Sequence, residues 1–129
     1  MSATGGFWEH LGFSIEAGDA AEVVLRMDVP EALITPFDTV HGGIVATFCD
    51  TALAVAIARR LDQPDRIATH ALQVTYVAFT SARLLRCRAR VVSLGRSIGV
   101  AEGEVIADDG AVVAKALGTF GVRRAAGTR

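Results

Sequence analysis

Charge of one sign is what this chain most lacks. Thirteen basic residues stand against fourteen acidic ones, for a formal net charge of −1. No global field therefore draws in nucleic acid or an anionic membrane. Long hydrophobic runs are missing as well. The most apolar stretch, residues 51–58, is far too short to cross a bilayer, and Asp50 stands directly before it. Residues 1–10 have neither a basic start nor an apolar run, so they do not read as a signal peptide. There are only two cysteines, Cys49 and Cys87, set in apolar patterns without metal-ligand spacing. They predict buried free thiols in a reducing cytoplasm. His10 and His70 likewise lack the partner spacing of a metal site. No G-x-S-x-G elbow, Walker loop or G-x-G-x-x-G occurs. No repeat, linker or low-complexity segment breaks the chain, so residues 1–129 are expected to form one domain.

What is abundant is apolar surface: hydrophobic residues make up 51% of the chain. A chain this short buries a limited fraction of its surface, so part of the excess is expected in a subunit interface. Alternation at 22–27 reads as a strand, with another possible around Ile15, and 7–11 could make one helical turn. Pro30 and Pro36 bracket a loop. From about 43 to 61 the pattern is helical, rich in alanine, and apolar on nearly every face, which marks a buried helix. Arg59 and Arg60 fall in its last turn, where cations suit the dipole, and 62–65 ends it. Strands are then predicted at 71–79, 84–93, 97–107 and 112–120, with tight turns at 94–96 and 108–110. Short turns imply antiparallel neighbours. The expected fold is α+β, one long buried helix wrapped by a curved antiparallel sheet of five to six strands.

Two features of that helix are anomalous. His41-Gly42-Gly43 puts two glycines at its start, where they weaken it. Free N–H groups of a first turn point at whatever sits there, with the positive dipole end behind them, as a developing oxyanion would need. A tight turn entering a helix is the plainer reading. Asp50 is a carboxylate in the middle of an otherwise apolar helix. It is either capped by Thr47, Thr51 or Thr69, or paired with an arginine, or it is a general base or nucleophile. Gly43 and Asp50 lie two turns and roughly 10 Å apart, long for two groups acting on one carbonyl, so a second copy of the chain would supply one of them.

These residues resemble a known family. His41-Gly42-Gly43, six residues, then Asp50-Thr51-Ala52 is similar to the HGG-x6-D signature of hotdog-fold acyl-CoA thioesterases, in the branch of the phenylacetate-degradation enzymes. The likeness runs on through residues 69–72, 89–97 and 114–120. It implies that Asp50 activates water or attacks the thioester carbonyl. It also implies that the Gly42 N–H polarises that carbonyl, in a site shared between subunits of a homodimer or homotetramer. Thr69 falls where the family has a hydroxyl that helps position water, and His41 lines the site or orders its loop. Gly43, Thr35, Gly95, Arg96, Ser97 and Arg83 are the candidates for contacts with the coenzyme A part of the substrate. A cationic side chain in the 95–97 turn would suit a phosphate. Three departures are evident: Thr35 replaces the usual asparagine, Asp38 replaces a common glycine, and 79–82 lacks a proline.

The resemblance implies a cytoplasmic enzyme that hydrolyses an aryl- or medium-chain acyl-CoA without metal or organic cofactor. The rivals are a non-catalytic acyl-CoA-binding module, with Asp50 structural, and a hotdog hydratase or dehydratase. Phe48, Tyr76 and Phe79 are candidates for an acyl pocket. Arg86, Arg88 and Arg90 share one strand face, read as solvated or interface-lining in preference to a phosphate stripe.

Overall fold

The computed structural model describes residues 6–62 and 64–124, with the backbone alone at 64 and 65. Residues 1–5 of the segment tested for a signal peptide, and position 63 of the expected helix stop, lie outside the described residues. Helix α1 (Gly6–Leu11) leads into β1 (Phe13–Gly18) and β2 (Val23–Asp28), and a 3-10 turn follows at Glu31–Leu33. Helix α2 (Gly42–Ala58) comes next, then β3 (Pro64–Tyr76), β4 (Leu84–Leu94), β5 (Ile98–Ala107) and β6 (Val112–Arg124). The strands make one antiparallel sheet in the order β1-β2-β4-β5-β6-β3. After α2, then, the chain returns to the far edge of the sheet. The α+β expectation holds, with six strands and one long helix packed on one face.

Period-two burial builds the inner face. Val23, Leu25 and Met27 of β2 are buried, as are Leu85, Cys87 and Ala89 of β4, while the residues between them look outward. Phe48, Cys49, Ala52, Leu53 and Ile57 of α2 lie on these residues and are fully buried. Glycine sets how close the helix comes. A Cβ on Gly103 would reach 3.2 Å from Leu53 Cδ2, and one on Gly118 would reach 3.0 Å from Leu53 Cδ1. Leu53 therefore sits in a slot that exists because two strands lack side chains there. Two turns behave as read: Gly95 N–H donates to Ile98 O (2.8 Å), and Gly110 takes the left-handed φ of 90° that its turn needs.

Three expectations are corrected. Helix α2 ends at Ala58, so Arg59 is its C-cap and Arg60 lies beyond it. Their N–H groups still bond to Val55 and Ile57, a tightened turn that carries a helical pattern past the true end. Strand β3 begins at Pro64, seven residues before the expected start, because a bulge between Thr69 and Ala71 resets its alternation. And α2 is not covered all round: Gly43 is exposed, and Thr47, Asp50 and Ala54 are only half-buried, one stripe that the sheet leaves open.

Leu53→Ala should cost about 3 kcal/mol in urea unfolding, since the slot between Gly103 and Gly118 cannot collapse around a smaller side chain. Both cysteines are buried and free. A hydrogen bond with Cys49, together with burial, holds the Cys87 thiol well above its ordinary pKa and so protonated at neutral pH. A thiol-reactive dye should find no fast-reacting group in the native protein and two after denaturation; a fast-reacting thiol in the native state would contradict this packing.

Candidate active site

His41 caps α2: its Nδ1 accepts from the Gly43 N–H at 2.9 Å, and its own carbonyl takes the N–H groups of Ile44 and Val45. An accepting Nδ1 puts the ring proton on Nε2. The cap explains the second glycine, because a Cβ at 43 would come within 3.0 Å of the imidazole. Gly42 O accepts from the Tyr76 hydroxyl at 2.6 Å. For the Gly42 N–H no partner lies among the described residues. It opens on a cleft of about 490 Å³ whose walls include Thr35, His41, Tyr76, Phe79 and Val113.

The rim of this cleft is tied down locally. The Thr35 hydroxyl bonds Thr39 Oγ1 (2.8 Å) and accepts from the Phe37 N–H, while Thr35 N–H donates to Thr39 O. Asp38 has a φ of 59°, a conformation that glycine favours and aspartate tolerates. That accounts for the glycine common there in the resemblance. The Asp38 carboxylate and Glu31 both bind Arg83, at 3.1 and 2.7 Å. The Arg83 guanidinium thus braces the loop.

Asp50 lies on the open stripe of α2, half-buried rather than buried as expected. Of the three threonines considered as its partner, Thr47 and Thr51 donate back to helix carbonyls, at Gly43 and Thr47. Thr69 of β3 is the one that reaches it, Oγ1 to Oδ1 at 2.7 Å. One carboxylate oxygen is thereby fixed, and no partner for the other lies among the described residues. Asp50 is eight residues from Gly42, about 12 Å along the helix.

Strand β3 meets α2 twice, through Thr69 and through Tyr76. Seven residues separate them, and in an unbroken strand an odd spacing puts two side chains on opposite faces. The bulge at Thr69/Ala71 supplies the extra residue that brings both to the helix side. His70 is that residue. Its imidazole fills the place where a Cβ of Gly121 would stand, 2.4 Å from Nε2.

Other candidates are elsewhere. Gly95, Arg96 and Ser97 form the exposed β4–β5 turn, with Ser97 O accepting from Val122 and Gly95 O from Arg124. Val122 faces Ile67 across the sheet. Nine residues of β3 then separate the level of this turn from Tyr76, roughly 30 Å. Phe48 is fully buried against Phe13 and lines no cleft, because it faces the sheet; Phe79 stands at the rim, 94% exposed. Arg86, Arg88 and Arg90 pair with Glu16, Glu22 and Glu102 on the outer sheet face, which neutralises that stripe. Among the described residues no cluster of three or more histidines, cysteines or carboxylates could hold a metal, and no helix is long and apolar enough to cross a membrane. What the sequence did not reveal was the Tyr76 hydroxyl on Gly42, a contact between residues 34 apart with no local pattern to mark it.

Residues 37–114 match the family model of the thioesterase superfamily. A candidate esterase of Halobacterium salinarum is 37% identical over 106 residues, covering 78% of this chain and 70% of that one. A 1,4-dihydroxy-2-naphthoyl-CoA hydrolase of Listeria monocytogenes is 23% identical over 97 residues, covering 75% and 79%. A solved candidate thioesterase of Ralstonia eutropha JMP134, described as phenylacetic acid degradation-related, is 28% identical with a TM-score of 0.86, over 94% of this chain and 92% of that one. With more than half of the chain matching the family model and the fold shared over nearly all of it, this chain belongs to the thioesterase superfamily, a thioester hydrolase of the hotdog fold.

Proposed function

We propose that the thioester is an acyl-CoA, cleaved to the free acid and CoA, with Asp50 and the Gly42 N–H acting on its carbonyl. The observation that carries this reading is the pairing, on one helix, of a donor at Gly42 without a partner among the described residues and a carboxylate anchored at one oxygen by Thr69. Asp50 takes a proton from water, and the resulting hydroxide adds to the carbonyl carbon. Alternatively Asp50 itself attacks, and water then hydrolyses the acyl-carboxylate anhydride. In both routes negative charge builds on the carbonyl oxygen, where the Gly42 N–H and the start of α2 stabilise it. Collapse of the tetrahedral species breaks the C–S bond and releases CoA as thiolate; in the first route it takes the proton that Asp50 accepted, and in the second the proton released when water hydrolyses the anhydride. A thiolate leaves readily, so the proposed reaction needs no metal or organic cofactor.

The two groups are too far apart on one helix to share a carbonyl, so the site takes Gly42 from one copy and Asp50 from another, in a homodimer or a dimer of dimers. Among the described residues β3 is a sheet edge with no partner strand on one side, and Tyr76, Val77 and Phe79 at its end expose apolar surface, which supports pairing there. The roughly 30 Å of β3 between the level of the 95–97 turn and Tyr76, which bonds Gly42, supports the same arrangement. Arg96 would meet a phosphate of CoA supplied across the interface. The Listeria relative is by its name a CoA-thioester hydrolase, and the Ralstonia one is linked to an aryl acid. The proposed acyl group is aryl or medium-chain, and the proposed setting is the cytoplasm.

Thiol release from a panel of aryl and short-to-long acyl-CoAs tests this directly. Asp50→Asn should cut kcat by roughly 10²- to 10⁴-fold while leaving CoA affinity in place. A wild-type chain that binds CoA but releases no thiol from any substrate would instead be a binding module.

A further inference from the structure

Two adjacent glycines begin α2, where helix N–H groups have no helical partner and glycine gives up the most backbone freedom on ordering. Yet the peptide between Gly42 and Gly43 is held at both ends. Its oxygen accepts from the Tyr76 hydroxyl at 2.6 Å, and its N–H donates to His41 Nδ1 at 2.9 Å. The Tyr76 ring also lies along Gly42 itself: a Cβ there would stand 3.6 Å from Cε1 and Cζ, ordinary contact distance.

We infer that Tyr76 is the positioning residue of this active site, its hydroxyl aiming the Gly42 N–H by anchoring the Gly42 carbonyl. The inference rests on the thioesterase reading above, in which that N–H polarises the thioester. The donor belongs to the His41–Gly42 peptide, which shares the Gly42 Cα with the clamped peptide. Fixing the oxygen of the second fixes one of the two torsions that set where the first one points. A donor stabilises developing charge only if it is already aimed when the charge appears. Burial raises the Tyr76 phenol above its ordinary value, with a smaller contribution from Cys49, so it stays a donor at neutral pH. Tyr76 acts through Gly42 and needs no contact with the reacting carbonyl. It is the chain's one tyrosine.

The test compares the full chain with Tyr76→Phe, which keeps the ring and removes only the hydroxyl. Phenylacetyl-CoA and octanoyl-CoA are the substrates. The expected result is a kcat about tenfold lower with KM within twofold, and melting lowered by no more than a few degrees. In ¹⁵N-labelled protein the Gly42 and Gly43 amide resonances should move. Unchanged kcat, or a rise in KM that accounts for the whole loss together with a collapse in melting temperature, would overturn the positioning role. A wild-type chain without turnover on either thioester would sink the thioesterase reading separately. The two amides would still decide Tyr76, and resonances unmoved in Tyr76→Phe would overturn the clamp whatever the turnover.

Discussion

The candidate active site hangs on one edge strand that is hydrogen-bonded to one helix at two points. Thr69 holds the Asp50 carboxylate and Tyr76 holds the start of the helix, and both side chains come from β3. A pleated strand alternates strictly, so two positions an odd number apart cannot both face the helix unless the strand gains or loses a residue. The bulge beside His70 is that change of phase, and Gly121 on the neighbouring strand gives the displaced imidazole room. Leu53 fixes the remaining coordinate, the height of the helix above the sheet, by seating between Gly103 and Gly118. Phase from the bulge and height from the glycine slot together place the donor and the carboxylate.

Much of this architecture is written locally and could be read locally. β2, the first half of β4 and the middle of β6 alternate because one face of each is buried and the other is not, and Gly110 stands in the β5–β6 turn where the backbone needs a positive φ. The His-Gly-Gly start and Asp50 announced themselves by breaking a pattern. Where legibility failed, the cause was a long-range event. The start of β3 was missed because the bulge made its two halves look like unrelated alternations. Asp50 looked buried because a helix apolar on most faces gives no hint of which stripe its own sheet leaves uncovered. The Tyr76 hydroxyl and the Arg83 brace join residues 34 and at least 45 positions apart, and no spacing rule reaches that far.

Charge is managed on a different scale from its near-zero total. The arginines of β4 do not form a free basic stripe; each faces a glutamate from β1, from β5 or from the segment entering β2. Exposed pairs of this kind contribute little stability individually. Their effect is to cover the outer face of the sheet with long polar side chains while the inner face is covered chiefly by α2. The apolar exposure that remains near the site is concentrated at the end of β3 and around Phe37.

Asp38 carries a consequence for how ligands enter. A residue other than glycine held at positive φ leaves the unfolded loop fewer conformations to lose, and here its carboxylate is also tied to Arg83. Thr35 and Thr39 are bonded to each other across the same turn, so the rim of the cleft is tied at both places. A ligand reaching the cleft meets a rim whose side chains are already bonded to one another and to Arg83, so those bonds need not form on binding.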